Sequence, residues 1–390
     1  MIEEKKSFWK KVLYIFLHKL FNNQRRFIKK YIGKNKSNKI AVYYHKFIAK
    51  EERNHANNQR VKCIIESLTN LGYVVYLIHK QCSSIPKSIQ RMDIDLFIGI
   101  DGCGGGKYFF QHLEELNAKR NFLLQTVQPP ALLRRRLKKR KQHREKYLKI
   151  FDDYTRPISL EEEKIYYKNI NKVETLIFPN STDDELNSEL NSLGVKIKRI
   201  DWNTFKEVDY IRRDKTSEIQ FICMNGNDPF RKGIDYAIHI FSELPYKLQI
   251  LAPENERLII EKLIDKYSAN NISYYGFLDI ASNKFKELAA KAMFCINFSV
   301  SESQANAMLH AMKTGLIPII DKDSGSFDYK YGLILDIMNE SFDITRKKLV
   351  DYVEAFSWAE YQRQSKYIAK FIKNNHNYEL FKRQFLESLK

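Results

Sequence analysis

Two places in the second half of the chain combine residue types that suit an anionic ligand. Lys232 stands in the run Arg231-Lys232-Gly233, where a predicted strand and loop lead into a helix. A second helix is predicted to begin at Ala305–Ala307, just after Glu302. The first amides of a helix and its positive dipole end favour an anion. Taken alone, Lys232 also fits a solvated lysine, and Glu302 an acidic residue that the helix dipole favours.

A glycine-rich run follows the predicted strand Asp95–Ile100 and reads Asp101-Gly102-Cys103-Gly104-Gly105-Gly106-Lys107. It is not a phosphate-binding P-loop, because that motif needs glycine at position 101 and Ser or Thr at position 108. It is not the dinucleotide fingerprint GxGxxG either, because Lys107 takes the place of the last glycine. Two interpretations remain: a tight turn without function, or a loop whose Asp101 and Gly102 contact substrate at the acceptor side of a cleft.

The elements that must position these residues are predicted from hydrophobic periodicity. With 390 residues the chain has room for two to three domains of ~150 residues each. Short apolar strands alternate with helices from residue 38 onward. A polar stretch, Arg212–Glu218, interrupts this alternation, which resumes with the strand Gln220–Met224. This alternation predicts an α/β protein with two Rossmann-like, doubly wound domains, at 38–212 and 213–372, facing a central cleft. Ligands of such sheets bind at the carboxyl ends of the strands, so the cleft is the predicted site.

The charge is concentrated in two segments. Residues 1–39 carry a net charge of +10 and residues 131–150 one of +9, which together equal the net charge of +19 for the whole chain. The rest is neutral overall and lacks an interleaved aromatic platform, so nucleic-acid binding is the least favoured function. Five cysteines without a CxxC pair or a Cys/His cluster argue against structural zinc and a disulfide framework, and favour a reducing cytoplasm.

Each basic segment has two interpretations. Apolar residues recur at roughly helical spacing between Trp9 and Ile32, which predicts a basic amphipathic helix within residues 1–37. That helix either lies on an anionic membrane surface or docks on its own protein. A signal peptide is excluded, because His18 and Lys19 interrupt the apolar run and no cleavage site follows. Residues 131–150 predict a second basic helix or loop, either a solvated face or a patch for lipid headgroups or an acidic substrate.

Three stretches of the second half resemble a known family. They are Phe230-Arg231-Lys232-Gly233 with its following helix, Tyr275-Gly276-Phe277-Leu278, and the segment from Ser299 to Ile320. The last one contains the pattern S-x-x-E, a helix ending in A-M-x-x-G, and then x-x-P before a strand. These stretches resemble the GT-B glycosyltransferases, specifically the retaining family 4 group. The resemblance covers roughly residues 218–330. The first half is similar to the family only in its predicted alternation of strands and helices.

The resemblance implies roles for individual residues. Lys232 would neutralise the diphosphate of a nucleotide sugar, Glu302 would contact the donor sugar, and both would be catalytic. Asn306, Ala307 and His310 would also bind the donor, with His310 at the place of a glutamate that holds the ribose in most members. As a bare observation, a histidine on a helix is more often a packing residue. No metal and no cofactor are implied, and Asp93 and Asp95 are interpreted as acids flanking a strand.

Departures from the family pattern bear on activity. Many members have an arginine six residues before the lysine, where this chain has Gly226, and Arg231 is the candidate substitute. A double-glycine loop after the first strand is absent from Tyr44–Asn58. A histidine that many members have after the fourth strand is replaced by the segment 125–128.

The resemblance implies transfer of a sugar from a nucleotide sugar to a glycan or lipid-linked acceptor, in cell-surface polysaccharide synthesis. The enzyme would lie in the cytoplasm at the inner face of the membrane, held there by its basic segments. A last helix, 373–390, would cross back to the first domain. Two alternatives remain: a sugar-nucleotide 2-epimerase of similar architecture, and a degenerate relative that binds glycans or nucleotides without catalysis.

Overall fold

The computed structural model describes residues 27–34, 37–45, 56–101, 108–151, 158–205, 207–215, 218–300, 302–324 and 332–390. Within these ranges, two sheets of seven and six strands are covered by thirteen α-helices. The predicted α/β class with two doubly wound units is confirmed. Among the helices in these ranges, none combines the length and the apolar composition needed to cross a bilayer.

The first sheet occupies the N-terminal half of the chain. Its strands are β1 (Ile28–Ile32), β2 (Ile40–His45), β3 (Val74–His79), β4 (Leu96–Ile100), β5 (Arg120–Leu124), β6 (Thr175–Pro179) and β7 (Lys196–Ile200). Its helices are α1 (Ala56–Asn70), α2 (Lys87–Gln90), α3 (Phe109–Leu116), α4 (Pro130–His143), α5 (Leu160–Asn169) and α6 (Asp184–Asn191). The strand order is β1-β3-β2-β4-β5-β6-β7, and only β1 runs antiparallel. The order reverses at β2, so a crevice opens at the carboxyl ends of β2 and β4.

The second sheet is fully parallel. Its strands are β8 (Gln220–Met224), β9 (Lys247–Leu251), β10 (Ile272–Tyr274), β11 (Phe294–Asn297), β12 (Ile317–Asp321) and β13 (Leu333–Leu335). The helices that follow them are α7 (Ile234–Phe241), α8 (Arg257–Lys266), α9 (Asn283–Lys291), α10 (Asn306–Lys313), α11 (Phe342–Glu354), α12 (Trp358–Asn375) and α13 (Tyr378–Ser388). The order β10-β9-β8-β11-β12-β13 reverses between β8 and β11, which places a second crevice there.

Burial on both faces explains why central strands such as β2, β4 and β6 are apolar runs, whereas the edge strands β1 and β7 contain lysine or arginine. All four residues of Ala41–Tyr44 in β2 are fully buried, as a strand covered by helices on both sides requires. In β4, a Cβ on Gly99 would lie 2.0 Å from the ring of Phe109, which stacks on Phe97 at 5.2 Å. Glycine at this position therefore lets α3 approach the sheet closely.

The predicted N-terminal helix is wrong for its last residues. Residues 1–26 lie outside the described part of the chain, but Ile28–Ile32 form strand β1 and not a helix. The spacing of Phe27 and Tyr31 fits one helical turn, yet β1 pairs with β3 in the register Ile28↔Ile78. Backbone pairing with the outer edge of β3 outweighs a local period of four residues.

Helix α4 and the single π-helical turn after it, Arg144–Leu148, contain most of the second basic segment. Arg136, Arg140 and Arg144 follow one another at intervals of four residues, and each is at most 5% exposed. Neither predicted interpretation, a solvated face or a ligand patch, describes these three arginines. Their common helix face is packed inside the protein, while Arg134 and Arg135 pair with acids at the surface.

The buried arginines connect the first sheet to the second. Arg136 donates to Asp183 at 2.6 and 2.9 Å and to the Asp323 carbonyl at 3.3 Å. Arg140 donates to the carboxylate of Asp321 at 3.2 Å and to the Phe298 carbonyl at 2.8 Å. Because Asp321, Asp323 and Phe298 belong to the second sheet or its loops, α4 holds the two halves of the molecule together.

Arg140 and Arg144 also stack on aromatic rings of the second half. The Arg140 guanidinium lies 3.8 Å from the ring centre of Tyr236, and that of Arg144 lies 4.2 Å from Phe230. Burial raises the pKa of Asp321 to about 7 although the charge of Arg140 opposes the rise. At neutral pH Asp321 is therefore near the midpoint of its titration, and the charge of Arg140 favours its ionised form.

The C-terminal helices return to the first sheet. Helix α12 packs along α10, and α13 then contacts α1 and β7. At this contact Gln384 donates to Asp201 at 3.0 Å, and Tyr378 donates to Glu66 at 2.5 Å. The chain therefore crosses between the halves at its C-terminal end as well as near residue 210.

Arg140→Ala is expected to lower the free energy of unfolding by about 3–5 kcal/mol, because it breaks a buried ion pair with Asp321 and removes the hydrogen bond to the Phe298 carbonyl. Arg135→Ala is the control, since Arg135 on the same helix is half-exposed and its ion pairs are worth about 1 kcal/mol or less. Urea denaturation followed by circular dichroism measures both. Equal, small losses for the two variants would show that Arg140 does not join the halves.

Candidate active site

A cavity of about 480 Å³ lies between the carboxyl ends of the two sheets. The first half contributes Arg60, Thr126, Val127, Trp202 and Phe205 to its lining. The second half contributes the segments after β8, β9 and β10 and the start of α10. Among the residues that the sequence singled out, Gly226, Lys232, Glu302, Asn306, Ala307 and His310 line this cavity.

Lys232 reaches the cavity from a tight turn between β8 and α7. The turn closes through a hydrogen bond from the Lys232 amide to the Asp228 carbonyl at 3.0 Å, and Gly233 follows with φ +74°. A Cβ on Gly233 would lie 2.3 Å from the Phe298 carbonyl and 2.5 Å from a nitrogen of Arg140. Glycine is required here, both for its backbone angle and because the chain passes directly against the α4 contact.

Glu302 is held at the cavity by the opposite half of the protein. Its backbone pairs with that of Val127, beyond the end of β5, in an isolated antiparallel bridge. Gln128 donates from its side chain to the Glu302 carbonyl at 2.9 Å, and Ser303 donates to the Thr126 carbonyl at 2.7 Å. The loop after β5 therefore lies directly on the segment that carries Glu302.

Lys232 and Glu302 form an ion pair through Nζ and Oε1. Their side chains are 14% and 20% exposed, so the pair faces the cavity from a largely buried position. Burial by itself would raise the pKa of Glu302, but the charge and hydrogen bond of Lys232, assisted by Arg231, outweigh it and lower that pKa. Glu302 is thus a carboxylate at neutral pH, beside a cation that an anionic ligand would also attract.

The start of α10 opens onto the same cavity. Its N-cap residue, Ala305, has no side chain that could accept from the first amides of the helix. Asn306 and Ala307, the first two residues of α10, line the cavity beside Lys232 and Glu302. Backbone donors at a helix start, a lysine and a carboxylate are therefore grouped around one space, an arrangement that suits a phosphorylated ligand with hydroxyl groups.

His310 lies one turn further along α10 and is 2% exposed. Its Nδ1 contacts the Asn306 carbonyl at 2.7 Å, and its Nε2 accepts from the Phe205 amide at 3.1 Å. These contacts require a neutral ring that donates from Nδ1. They favour the interpretation of His310 as a packing residue, and a ribose contact would have to replace one of them.

Arg231 does not line the cavity. Its side chain points back to Asp228, with Nε 3.7 Å from the carboxylate. Gly226 does line the cavity, and its backbone faces open space there. Arg231, the neighbour of Lys232, therefore does not take the place in the cavity that the resemblance implies for an arginine at position 226.

The acceptor-side residues are only partly described. Gly102 lies outside the described ranges. Asp101 is buried with φ +38° and accepts from the amide of Thr126 at 2.5 Å and from its hydroxyl at 2.8 Å. Burial raises the pKa of Asp101, and the Thr126 hydrogen bonds oppose that rise. Asp101 thus orients Thr126, which is the residue of the two that reaches the cavity.

Several residues that line the cavity belong to no recognisable sequence motif. Arg60 is a single arginine near the start of α1, and Trp202 and Phe205 follow β7 in an irregular segment. Trp202 and Phe205 are held by the second half: the Trp202 amide donates to Gln304 at 2.7 Å, and the Phe205 amide donates to His310. The available signal was the aromatic pair after the strand Lys196–Ile200, which does not specify a cleft.

Asp93 and Asp95 do not converge on the cavity. Both accept from the ammonium of Lys119, at 2.6 and 2.9 Å. Asp95 also accepts from the Ile40 amide at 2.8 Å, the main cause of its lowered pKa. Their contacts agree with the interpretation of two acids that flank a strand.

The fold is similar to several solved structures, although no protein-family model and no curated protein matches the sequence. Sucrose-phosphate synthase from Thermosynechococcus elongatus aligns with 90% of this chain and 98% of its own, at TM-score 0.62 and 13% identity. HepE from Anabaena, solved in complex with UDP and glucose, aligns with 90% and 99%, at TM-score 0.59 and 12% identity.

The catalytic domain of starch synthase IV from Arabidopsis thaliana, bound to ADP and acarbose, aligns with 90% of this chain and 99% of its own. Its TM-score is 0.56 and its identity is 12%. These neighbours are glycosyltransferases of the GT-B fold. The chain therefore has the GT-B fold, with its two sheets facing the cavity that Lys232 and Glu302 share.

Proposed function

We propose that this protein is a retaining glycosyltransferase of the family 4 type, which transfers a hexose from a nucleotide sugar. The observation that carries the proposal is the Lys232–Glu302 ion pair beside the first residues of α10, at the cavity between the two sheets. The GT-B fold of the chain supports it. So does the grouping of one cation, one carboxylate and backbone donors around a space of about 480 Å³.

In the proposed reaction the bond between the anomeric carbon and the diphosphate breaks. The acceptor hydroxyl oxygen bonds to that carbon, and its proton leaves with the nucleoside diphosphate. Lys232 stabilises the charge that develops on the leaving diphosphate, together with the first amides of α10. Glu302 orients the sugar through its hydroxyl groups. No metal is needed, because cations and helix amides of the chain compensate the charge.

The test is a product analysis with UDP-, GDP-, ADP- and CMP-sugars and a glycan or lipid-linked acceptor. Release of free nucleotide together with a glycosylated acceptor supports the proposal. A donor whose sugar has changed its configuration, without release of nucleotide, identifies a 2-epimerase instead. Saturable nucleotide binding without turnover identifies a non-catalytic relative.

We further propose that the acceptor is lipid-linked or lies at the membrane, in surface polysaccharide synthesis at the inner face of the membrane. The support is the charge of the N-terminal segment: residues 1–26 include seven Lys or Arg against Glu3 and Glu4. Each basic residue near an anionic leaflet contributes about 1 kcal/mol.

Lys232→Ala is expected to lower turnover by about a hundredfold or more, because an electrostatic contact with a leaving group contributes about 3 kcal/mol to the transition state. Because the substitution breaks a largely buried ion pair, turnover is compared at a temperature at which both proteins are folded. The measured quantity is the rate of nucleoside diphosphate release at saturating donor. Lys284→Ala is the control, since Lys284 is 56% exposed on α9. Equal turnover for Lys232→Ala and the wild type would show that the phosphate site lies elsewhere.

Deleting residues 1–26 is expected to leave a folded protein, since β1 begins at Ile28. The truncated chain should lose affinity for vesicles that contain phosphatidylglycerol, because seven basic residues are removed. Co-sedimentation measures this, with phosphatidylcholine vesicles as the uncharged control. If the truncated chain sediments with the anionic vesicles as fully as the intact chain, the segment does not bind membranes.

A further inference from the structure

The described charged side chains that the second half places at the cavity do not by themselves balance a diphosphate. A nucleoside diphosphate carries at least two negative charges at neutral pH, and the second half of the protein offers it Lys232, which already pairs with Glu302. Arg231 points to Asp228, and Gly226 brings no charge. Among the described lining residues of the second half, Asp279 and Glu302 are acidic, so further positive charge must come from across the cleft.

Among the described residues of the first half that line the cavity, Arg60 is the cation. It lies on α1, is 5% exposed, and lines the cavity together with Lys232. Its guanidinium stacks on Trp202, 4.2 Å from the ring centre. A stacked, buried guanidinium has few accessible rotamers, so it loses little entropy when it binds an anion with two of its nitrogens.

Arg60 also reaches the start of α10. When the amide oxygen of Asn306 is turned toward it, that oxygen lies 2.5 and 3.2 Å from the two terminal nitrogens of Arg60. Asn306 is the first residue of α10, so the guanidinium of Arg60 contacts the side chain of the residue at which that helix begins. Arg60 and the start of α10 therefore approach the same part of the cavity from opposite sheets.

The electrostatic surroundings keep Arg60 charged. Burial lowers its pKa to about 10, while Tyr43 and Asp101 act in the opposite direction. A group with this pKa is still protonated at neutral pH. A buried cation at the edge of a cavity gains more from an anionic ligand than a solvated one, because less water screens the interaction.

We propose that Arg60 binds the diphosphate of the donor from across the cleft, and so supplies the positive charge that the second half lacks. This inference rests on the proposed function. It adds a consequence: Lys232 and Arg60 belong to opposite sheets, so one diphosphate that contacts both joins the two halves. Arg60 is thus a donor-binding residue on the side of the cleft that the sequence assigned to the acceptor.

The test is titration calorimetry of the full chain with UDP, ADP and GDP, and with the nucleoside of whichever diphosphate binds. Arg60→Gln should weaken binding of that diphosphate about tenfold or more, the effect of losing a charged hydrogen bond. It should change nucleoside binding less than twofold. Arg60→Lys, which keeps the charge and loses the two-nitrogen contact, should fall between. Lys62→Gln, the same change of charge at an exposed position of α1, should bind like the wild type.

Each other outcome overturns the inference in a recognisable way. A wild-type chain that binds none of the three diphosphates contradicts the proposed function itself. If the wild type binds a diphosphate, and Arg60→Gln and Arg60→Lys bind it as tightly, the proposed role of Arg60 is wrong but the proposed function still stands. Arg60 would then be a candidate contact for the acceptor. Equal losses for diphosphate and nucleoside assign Arg60 to the base or to packing, and an equal loss in Lys62→Gln assigns the effect to general charge. If Arg60→Gln does not fold, the ratio of diphosphate to nucleoside affinity in Arg60→Lys decides, since it must fall.

Discussion

The buried guanidinium of Arg140 is the contact on which the candidate site depends. It donates to the carbonyl of Phe298, at the end of β11, and lies against Gly233, at the start of α7. Glu302 follows Phe298 by four residues, and Lys232 immediately precedes Gly233. One side chain from the first half thus fixes the starting points of both segments whose side chains meet in the cavity. The geometry of the Lys232–Glu302 pair is therefore a property of the interface between the sheets and not of the second sheet alone.

The cavity takes its polar groups from both halves. The loop after β5 pairs with Glu302, the segment after β7 is held by Gln304 and His310, and Arg60 reaches toward Asn306. Such contacts bring charged groups close only when the cleft is closed. In the proposed reaction, this arrangement excludes water from the diphosphate and strengthens each charged hydrogen bond.

The sequence predicted the elements whose signal is local. The central parallel strands are short, apolar and bounded by turns, so their alternation with helices indicated two doubly wound sheets. The residues at strand ends, Lys232 and Glu302 among them, followed from the rule that such sheets bind ligands at that edge. Their ion pair also needed the register β8–β11, which no local pattern specifies.

What the sequence did not predict depends on partners far away in the chain. The burial of the α4 arginines depends on distant partners: Asp183 pairs with Arg136, Asp321 pairs with Arg140, and Phe230 stacks on Arg144. Strand β1 forms because β3 has an open edge, although its own spacing suits a helix. The resemblance suggested a ribose contact for His310, but its ring nitrogens contact Asn306 and Phe205, and Phe205 belongs to the other half.

The central claim is that the cavity between the sheets binds a nucleotide sugar, and thermal-shift measurement with UDP-, GDP-, ADP- and CMP-sugars tests it most directly. A ligand at a hundred times its dissociation constant stabilises the folded state by about 2.7 kcal/mol. The account predicts that at least one of these sugars raises the melting temperature of the intact chain, and that the rise shrinks in Lys232→Ala. A melting temperature that no nucleotide sugar changes, at millimolar concentration, would contradict it.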